Sequence, residues 1–405
     1  MRVLLADKLP ERARHRLEGG GFEVRSEPGL TGPALGEALE AFDPDVLVVR
    51  STRVEAAHLS VAPSLSLVVR AGAGVDTIDL DACSGRGVFV ANCPGRNAVA
   101  VAELTFGLLL ALDRHLPDNV ADARAGRWNK AAYGKARGLA GRTLGILGMG
   151  RIGQEVARRA RAFDMEVVAW SRSLTEERAD ALEVERAASP VAVASRCDVL
   201  TVHLAETPET REIVGPTVLD ALSPGAMLLN TSRAGLVDEE ALLKALDAGG
   251  LRAGLDVVRG EPSFKEGEWS HPLARHPRVY LSHHIGASTA QAQLAVADEA
   301  CRVVEGFRAR GRVDNAVNVS ERTGADRVLV VRHLDRVGVL AGVLDELREA
   351  RINVEEMENT IFAGGAGAVA RMHLSGPLPP DLLERLRGQE NVLAVVAMDL
   401  TQEGP

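Results

Sequence analysis

The chain has 405 residues, a length that suggests roughly two to four domains and excludes a small disulfide-stabilised scaffold. Apolar residues make up 46%, charged residues 25% and aromatic residues only 3%, so we expect folded domains with aliphatic cores. The formal net charge of -9 offers no basic surface for nucleic acid or anionic lipid. We therefore expect neither as a partner, and an anionic ligand would need a local arginine cluster.

The N-terminal stretch and the cysteines favour a cytoplasmic location. The apolar stretch in MRVLLADKLPERAR is too short for a signal peptide and is followed at once by charge. The longest apolar run, residues 98–112, contains Glu103 and is shorter than a membrane span of roughly 20 residues, which predicts a buried helix. The four cysteines are far apart and form no CxxC pair, so we expect buried thiols, no disulfide framework and no metal site.

Residues 2–91 alternate short β-rich segments with helical stretches, which predicts a parallel sheet covered by helices. One strand ends in VVRSTRV, with Arg50, Ser51 and Arg53, and the next ends in VVRAGAGVDTID, with Arg70. Two such arginines beside a dianion would form charge-assisted, bidentate contacts, which favours a phosphorylated substrate. The alternative is that both are solvated loop arginines.

A second strand–helix series begins at Thr143, after a polar, glycine-punctuated connection that indicates a domain change. Its later strands lie in MEVVAWS, CDVLTVHL, AMLLNTS, LRAGLDVV and RVYLSHH, and each ends in polar or glycine-rich residues. Ligands of open α/β sheets bind at the carboxyl ends of the strands. We therefore expect a site at that edge.

A dinucleotide-binding motif opens the second series. Gly148, Gly150 and Gly153 have GxGxxG spacing directly after an apolar strand and directly before an amphipathic helix. The first glycine permits the turn, the second lets the backbone approach a diphosphate, and the third lets the helix pack on the strand. The alternative of a structural turn without a ligand is disfavoured by this strand–turn–helix context.

The choice between NAD and NADP stays open. The next strand ends at Ser171 and Arg172, where an NAD enzyme usually carries an acidic residue for the ribose hydroxyls. Arg172 beside Ser171 could pair with a 2′-phosphate, which would favour NADP, or could stack on adenine or face solvent. We therefore expect NAD, with NADP as the alternative.

Three segments at strand ends carry the residues for hydride transfer to or from a 2-hydroxy acid: NTSRAG with Arg233, LDVVRGEP with Asp256 and Glu261, and SHHIGAST with His284. That reaction needs a cation for the substrate carboxylate, an acid/base for the hydroxyl proton, and a carboxylate that orients the base. Arginine binds carboxylates bidentately, and histidine titrates near neutrality. Each residue alone would more simply be structural or solvated.

The C-terminal part, from about residue 326, reads as strand, helix, strand, strand, helix, strand. This order predicts a ferredoxin-like βαββαβ unit.

Taken together, these motifs resemble the D-2-hydroxyacid dehydrogenase family, and within it most closely the D-3-phosphoglycerate dehydrogenases that carry a C-terminal ACT domain. The likeness covers almost the whole chain. Its motifs are the glycine loop, HLAETPETR, NTSRAGLVDEEAL, GLDVVRGEP and HIGAST.

The resemblance implies that Arg233 binds the substrate, that His284 is the general acid/base and that Glu261 is its partner. The family usually has proline where His283 stands, so the choice between the two histidines stays slightly open. Asp256 falls where the family contacts the nicotinamide carboxamide. Other implied cofactor contacts are Arg151, Ile152, His203, Thr210, Thr231 and Ser232. Ala73 and Gly74 offer backbone N–H groups for the substrate carboxylate, Ala73 replacing a frequent threonine.

The resemblance also implies a domain arrangement. We expect two Rossmann-like domains, a flavodoxin-like substrate domain made of residues 1–95 and 286–319 and a dinucleotide domain of residues 96–285, then an ACT-like domain of residues 326–405. His333, Asp335 and Asn353 match positions that bind L-serine as an effector, with a purely oligomerising ACT domain as the alternative. A homodimer or homotetramer is expected, with contacts from the buried helix and the segment around Trp128, Asn129 and Lys130.

The predicted reaction is NAD(P)-dependent, reversible oxidation of 3-phospho-D-glycerate to 3-phosphooxypyruvate, the first step of L-serine biosynthesis. One alternative is a hydroxypyruvate or glyoxylate reductase that uses NADPH, favoured by Ser171 and Arg172. Another, from a different class, is a dinucleotide-sensing corepressor or scaffold on the same fold, disfavoured by the complete catalytic set.

Overall fold

A computed structural model describes residues 1–262, 264, 266–320 and 324–400. The chain divides into two compact units, Met1–Asn318 and Val319–Pro405. The first unit contains two parallel sheets and the second an antiparallel sheet, which confirms the predicted α/β fold class with a ferredoxin-like unit at its end. Residues 401–405 of the predicted third domain lie outside the described residues.

The first sheet has five parallel strands in the order β2-β1-β3-β4-β5. Its strands are β1 (Arg2–Leu5), β2 (Glu23–Ser26), β3 (Val46–Val49), β4 (Leu67–Arg70) and β5 (Phe89–Ala91). Its helices are α1 (Glu11–Gly19), α2 (Pro33–Phe42), α3 (Ala56–Ser60) and α4 (Leu80–Gly85). This is the flavodoxin-like order, in which the strand sequence reverses between β1 and β3 and leaves a crevice at their carboxyl ends.

The second sheet has seven parallel strands in the order β12-β11-β10-β9-β6-β7-β8. The chain first forms α5 (Ala98–Arg114), α6 (Leu116–Arg124) and α7 (Lys130–Tyr133). The strands are β6 (Thr143–Leu147), β7 (Glu166–Trp170), β8 (Glu185–Arg186), β9 (Val199–Val202), β10 (Ala226–Asn230), β11 (Leu251–Leu255) and β12 (Val279–Leu281). The helices between them are α8 (Arg151–Ala162), α9 (Glu176–Ala181), α10 (Pro190–Ala194), α11 (Pro216–Asp220), a 3-10 turn (Ala234–Leu236), α12 (Glu239–Asp247) and α13 (Pro272–Arg275).

Two of these helices were not predicted. The connection after the buried helix reads as polar and glycine-rich, yet α6 and α7 lie in it. Neither helix has a buried residue, so neither leaves an apolar stripe in the sequence. By contrast, α5 buries ten residues and leaves Glu103 exposed, as the apolar run predicts.

The chain passes between the two sheets twice, at residues 92–97 and at residues 282–289. The second passage leads into α14 (Ala290–Arg310), which packs back on the first sheet. Alternate residues of β1 point to opposite faces of that sheet. Val3 and Leu5 pack with α1 and with residues 296–304 of α14, while Leu4 packs with α2. This fixes the carboxyl ends of the first sheet beside the start of α14.

The second unit has a four-stranded sheet in the order β14-β15-β13-β16. Its elements are β13 (Arg327–Leu334), α15 (Val339–Glu349), β14 (Asn353–Ile361), β15 (Gly367–Ser375), α16 (Leu382–Arg387) and β16 (Val392–Asp399). All three pairings are antiparallel. One face packs on α15 and α16 through a core that includes Leu329, Val343 and Leu386.

No helix in the described part of the chain is long and apolar enough to cross a membrane. The four cysteines are buried free thiols, and burial raises the pKa of each, to about 12 for Cys93 and Cys197.

Candidate active site

The loop between β6 and α8 depends on two glycines that no larger residue could replace. Gly148 has φ of 104°, and a Cβ there would lie 2.5 Å from the His203 carbonyl oxygen. A Cβ at Gly153 would collide with the Gly148 carbonyl oxygen. Glycine is thus required both for the left-handed turn and for the close packing of α8 on the loop.

The third glycine leaves room for a ligand. A Cβ at Gly150 would meet no atom within 4 Å, so the space above the start of α8 is open. The first N–H groups of α8 have no side-chain cap, and free N–H groups at a helix N-terminus bind anions. Nδ1 of buried His203 has no partner among the described residues. The residues present therefore fit a dinucleotide, with its diphosphate on α8.

Two predicted cofactor contacts on α8 differ in their surroundings. Arg151 Nη1 donates a hydrogen bond of 2.6 Å to the Pro94 carbonyl oxygen, in the first passage between the sheets. Ile152 is partly buried and packs against the core that includes Val156 and Met149. Arg151 thus contacts the passage and can turn to a diphosphate only by leaving it.

The end of β7 has no carboxylate for a ribose. Ser171 is half-buried and Arg172 is exposed, and the segment from 170 to 173 contains no acidic residue. In the loop after β9, a hydrogen bond from Thr207 lowers the pKa of Glu209, and the positive charge of Arg172 adds a smaller effect in the same direction. The two residues predicted to contact the adenosine ribose are thus at the expected strand end.

The predicted cofactor residues after β9 and β10 are largely engaged within the protein. His203 accepts or donates a 2.9 Å hydrogen bond with Thr201, and burial lowers its pKa to about 3, so the ring is neutral at physiological pH. Thr210 Oγ1 donates to the Ala205 carbonyl oxygen at 2.7 Å. Thr231 Oγ1 lies 2.9 Å from Thr105 Oγ1, and Ser232 Oγ donates to the Val202 carbonyl oxygen. These hydroxyls hold the loops in place.

His284 and Glu261 form a pair at the carboxyl ends of adjacent strands. Glu261 follows β11, His284 follows β12, and His284 Nδ1 lies 2.7 Å from Glu261 Oε2. The hydrogen bond to Glu261 raises the pKa of His284, against a smaller opposing effect of burial. The other Glu261 oxygen accepts the Val258 N–H at 3.1 Å, which fixes the carboxylate. Both histidines are exposed, and it is His284 that pairs with Glu261.

Asp256 holds the loop that carries His284. Its carboxylate accepts hydrogen bonds from Ser282 Oγ at 2.6 Å, Ile285 N at 2.9 Å and Gly286 N at 2.8 Å. His284 has φ of 52°, a left-handed conformation that is uncommon for a residue with a side chain. The network around Asp256 therefore keeps the histidine backbone in a costly conformation. The carboxylate of Asp256, which was predicted to contact the nicotinamide, is thus already hydrogen-bonded within this loop.

Arg233 reaches from the second sheet to the first. Its Nε lies 3.1 Å from Asp76 Oδ2, and its Nη1 donates to the Ser232 carbonyl oxygen at 2.9 Å. A Cβ at Gly74 would collide with Arg233 Nη2, so glycine permits this approach. The Asn230 side chain also donates to the Arg233 carbonyl oxygen at 2.9 Å. Arg233 thus lies in the cleft between the sheets.

Two adjoining cavities contain the catalytic residues and the predicted phosphate ligands. One, of about 620 Å³, is lined by Arg233, Glu261, His284 and Arg70. The other, of about 160 Å³, is lined by Arg70, His284 and Arg50. Arg70 and His284 line both. The structure therefore brings the three catalytic candidates to one cleft with Arg50 and Arg70, two of the three predicted substrate arginines.

Arg70 is an unusual cation in this cleft. Burial lowers its pKa, and the nearby charge of Arg233 lowers it further. Its Nε is buried and has no hydrogen-bond partner within the described ranges. A buried N–H donor without a partner on a partly buried cation is costly, so the cleft favours an anionic ligand.

The remaining predicted substrate residues have other surroundings. Ser51 binds the Asp7 carboxylate through its N–H and its hydroxyl, both at 3.0 Å. Arg53 is exposed and lines neither cavity. The Ala73 carbonyl oxygen accepts a hydrogen bond from Asn92 at 2.6 Å, and Gly74 lies against Arg233. Of this group, Gly74 is closest to the catalytic residues.

Sequence reasoning missed four residues that shape the cleft: Asp7, Asp76, Asn97 and Asn230. Asp7 and Asp76 bind groups far away in the sequence, which no local pattern could reveal. Asn97 lines the smaller cavity, and its Oδ1 has no partner in the described part of the chain. Asn230 could have been found, because an amide at a strand end often caps the following turn.

In the C-terminal unit, the predicted effector residues are separated. His333 is buried at the end of β13, and its Nε2 lies 3.1 Å from Asn359 Oδ1. Its cross-strand neighbour on β15 is Ala368, whereas Asn353 is paired with Ser375 at the other end of that strand. Asp335 is exposed. Within one copy, His333 and Asn353 therefore form no common site.

Fold and site define a dehydrogenase that uses a nicotinamide dinucleotide, and comparison with known proteins gives its family. Residues 106–286 match the family model "D-isomer specific 2-hydroxyacid dehydrogenase, NAD binding domain". The D-3-phosphoglycerate dehydrogenase of Methanocaldococcus jannaschii is 34% identical over 394 residues, 95% of this chain and 72% of that protein. The chain belongs to the D-2-hydroxyacid dehydrogenases, as its motifs predict. Its cofactor is NAD or the related NADP.

Solved structures agree with this assignment. The TT0316 protein from Thermus thermophilus matches with a TM-score of 0.69 and 36% identity, over 78% of this chain and 100% of that chain. An NADPH-dependent glyoxylate/hydroxypyruvate reductase from Sinorhizobium meliloti, in complex with NADP and malonate, matches with a TM-score of 0.67 and 29% identity, over 80% of this chain and 99% of that chain.

Proposed function

We propose that this dehydrogenase oxidises 3-phospho-D-glycerate to 3-phosphooxypyruvate, reversibly, as the first step of L-serine biosynthesis. The observation that carries the proposal is the sharing of Arg70 and His284 by two cavities, one containing Arg233 and the other Arg50. A substrate with a carboxylate at one end and a phosphate at the other would place both anions on arginines. The similarity to D-3-phosphoglycerate dehydrogenases supports the same substrate.

In this proposal, Arg233 binds the substrate carboxylate and the oxygen on C2 through its planar guanidinium. Glu261 holds Nδ1 of His284, which leaves Nε2 for the substrate. In oxidation, Nε2 takes the proton of the C2 hydroxyl, and in reduction the same atom returns it. When bound, the dinucleotide would supply the hydride acceptor for oxidation and the hydride donor for reduction. The hydrogen bond to Glu261 raises the pKa of His284, which favours the protonated ring that reduction needs.

Arg50 and Arg70 would bind the phosphate. A dianion beside Arg70 compensates for the burial of that guanidinium and for its repulsion by Arg233. Ser51, Arg53, Ala73 and Gly74 stay predicted substrate contacts; of these, the Gly74 backbone beside Arg233 is best placed for the substrate carboxylate.

For the cofactor we propose NAD, with NADP as the alternative that Arg172 favours. The absence of a carboxylate from residues 170–173 removes the usual repulsion of a 2′-phosphate. The similarity to an NADPH-dependent reductase supports the same alternative. That similarity also makes glyoxylate or hydroxypyruvate reduction the second candidate function.

We further propose that the C-terminal unit is an ACT-like domain that pairs with a second copy. L-Serine would bind there only where two copies combine, because His333 and Asn353 are far apart within one. A homodimer or homotetramer is proposed, with the segment around Trp128, whose side chain is 87% exposed, among its contacts. Buried free thiols support the proposed cytoplasmic location.

The decisive assay follows cofactor oxidation with 3-phosphooxypyruvate and with hydroxypyruvate, using NADH and NADPH separately, with and without L-serine. We expect a higher kcat/KM for the phosphorylated acid. A preference for hydroxypyruvate with NADPH would instead establish the reductase. Arg172→Ala serves as the cofactor control, because it should reduce NADPH turnover more than NADH turnover if Arg172 meets the 2′-phosphate. Indifference to L-serine would leave the C-terminal unit as an assembly domain.

A further inference from the structure

We propose that Lys8 is a third cation of the phosphate subsite, and that Lys8, Arg50, Arg70 and the first turn of α14 together bind the phosphate of the substrate. This inference rests on the proposed function, because it assigns the residues that would select a phosphorylated acid. Lys8 was not among the residues that the sequence motifs indicated.

The fold places these residues in one crevice. Lys8 follows β1, Arg50 follows β3, and Arg70 ends β4, three neighbouring strands of the first sheet. The strand order reverses between β1 and β3, and such a reversal opens a crevice at the carboxyl ends where ligands of α/β proteins bind. All three cations line the same cavity, together with His284.

Asp7, the acidic neighbour of Lys8, is engaged with the backbone. Its carboxylate accepts the N–H groups of Arg50 at 2.6 Å, Thr52 at 2.9 Å and Ser51 at 3.0 Å. Burial opposes ionisation of Asp7, but these donors outweigh it and lower the pKa of the carboxyl group. Asp7 therefore holds the Arg50 loop in position and is not free to pair with Lys8.

The charged side chains that line the cavity are all cationic at neutral pH. Its lining, all of it within the described residues, includes no carboxylate. Elsewhere many arginines pair with acids, as Arg14 does with Glu18 at 2.8 Å, but Lys8 and Arg50 form no ion pair with any described residue. In a chain of net charge -9, a cavity with three cations and no acid is a local exception that favours a multiply charged anion.

The start of α14 adds a fourth positive contribution. Ser288, Ala292 and Gln293, at or near its first turn, line the cavity. The helix has 21 residues, and its dipole places a partial positive charge at its N-terminus. Thr289 caps only the Ala292 N–H, at 3.1 Å. Cations of the first sheet and the positive end of the α14 dipole thus lie beside the same cavity.

The test compares Lys8→Met, Lys8→Arg and the exposed control Lys244→Met on α12. In the full-length protein with saturating NADH, we measure the ratio of kcat/KM for 3-phosphooxypyruvate to kcat/KM for hydroxypyruvate. Lys8→Met should lower this ratio about tenfold, because a charge-assisted contact to the phosphate is lost. Lys8→Arg should retain most of the ratio, and Lys244→Met should not change it. Inorganic phosphate is the second probe: its competitive inhibition constant against hydroxypyruvate should rise about fivefold in Lys8→Met.

The inference is overturned if Lys8→Met leaves both the ratio and the phosphate inhibition constant unchanged, or if it weakens both acids equally. Failure of the proposed function gives a different result. In that case the unaltered protein would not prefer the phosphorylated acid. Lys8→Met would still weaken inhibition by inorganic phosphate. The subsite would then be an anion site for another substrate. Equal melting temperatures of the variants confirm that folding is unaffected.

Discussion

His284 Nδ1 lies 2.7 Å from Glu261 Oε2, although the two residues are 23 positions apart in the chain. Neighbouring parallel strands, β11 and β12, bring them together, because each residue lies in the loop that follows its strand. A histidine held in this way keeps one tautomer and presents Nε2 to the cleft.

The first prediction separates the two adjacent histidines. His284→Asn should lower kcat by about 10²–10⁴-fold in both reaction directions, because the proton transfer loses its acid/base. His283→Asn, the matched control, should lower kcat by less than about threefold, because His284 is the partner of Glu261. Steady-state kinetics with the preferred 2-oxo acid checks both. A larger loss in the His283 variant would transfer the role to that residue.

The second prediction concerns pH. Glu261 raises the pKa of His284, so Glu261→Gln should lower it. Reduction needs protonated His284 and is lost as the pH rises through its pKa; in the variant this limb should therefore move to lower pH. Oxidation needs neutral His284, so its acidic limb should also move to lower pH. Profiles of kcat/KM against pH in both directions measure the shift, and unmoved limbs would show that another group titrates.

The third prediction concerns Arg233. Arg233→Lys keeps the charge but loses the planar pair of donors, so kcat/KM should fall about 100-fold for every 2-oxo acid tested. Arg178→Lys, on exposed α9, provides the control. The loss should be equal for phosphorylated and unphosphorylated acids, because Arg233 is assigned to the carboxylate that both share. A loss confined to the phosphorylated acid would place Arg233 at the phosphate instead.

The fourth prediction distinguishes two roles for Asp256. If it chiefly positions His284, Asp256→Asn should lower kcat about tenfold and leave the KM for the cofactor within a factor of two, because an amide cannot accept all three loop hydrogen bonds. If it chiefly contacts the nicotinamide carboxamide, the KM for the cofactor should rise instead. Kinetics with cofactor as the varied substrate decides between the two roles.

The fifth prediction concerns stability at the passage between the sheets. Glu299 is buried and bonds Arg96 at 2.6 Å, Arg302 at 2.5 Å and Asn315 at 2.7 Å, and its pKa falls to about 2, chiefly through Arg302. Glu299→Gln should lower the free energy of unfolding by about 2 kcal/mol at pH 7.

The loss of stability in Glu299→Gln should depend on pH. A carboxyl group with a depressed pKa stabilises the fold above its ordinary value of 4.5 and loses this contribution as the pH falls towards 2. The difference between the two proteins should thus shrink over that range in denaturation experiments. Glu305→Gln on the same helix, a half-exposed pair with Arg16, should cost less than about 1 kcal/mol. Equal losses of unfolding free energy in Glu299→Gln and Glu305→Gln would contradict the stabilising role assigned to Glu299.

Local patterns predicted much of the fold and the central part of the site. The glycine loop, Arg233, Glu261 and His284 each lie in a short motif at a strand end, where parallel topology brings distant segments together. The partners of these residues were not predictable in the same way. Asp76 meets Arg233 across 157 positions, and Asp7 meets Arg50 across 43, so these contacts exist only in the folded chain.

The C-terminal unit shows the opposite limit. Its βαββαβ order was readable from strand and helix patterns, but the matched positions His333 on β13 and Asn353 on β14 pair with residues at opposite ends of β15. A motif match identifies positions in the sequence, but it does not show which copy of the chain supplies each residue of a site. A shared site there requires an assembly, which no single-chain pattern contains.

The guanidinium groups of Arg50, Arg70 and Arg233 affect how easily the cleft can close. Arg50 and Arg70 belong to the first sheet and Arg233 to the second, so the cleft has like charges on both of its walls. Their mutual repulsion opposes any narrowing of the gap. Three acids that line the larger cavity, Asp76, Glu206 and Glu261, partly offset it, Asp76 most directly through its contact with Arg233 at 3.1 Å. A substrate with negative charge at both ends cancels the repulsion on each wall, so its arrival itself removes the barrier to closing around the reacting atoms.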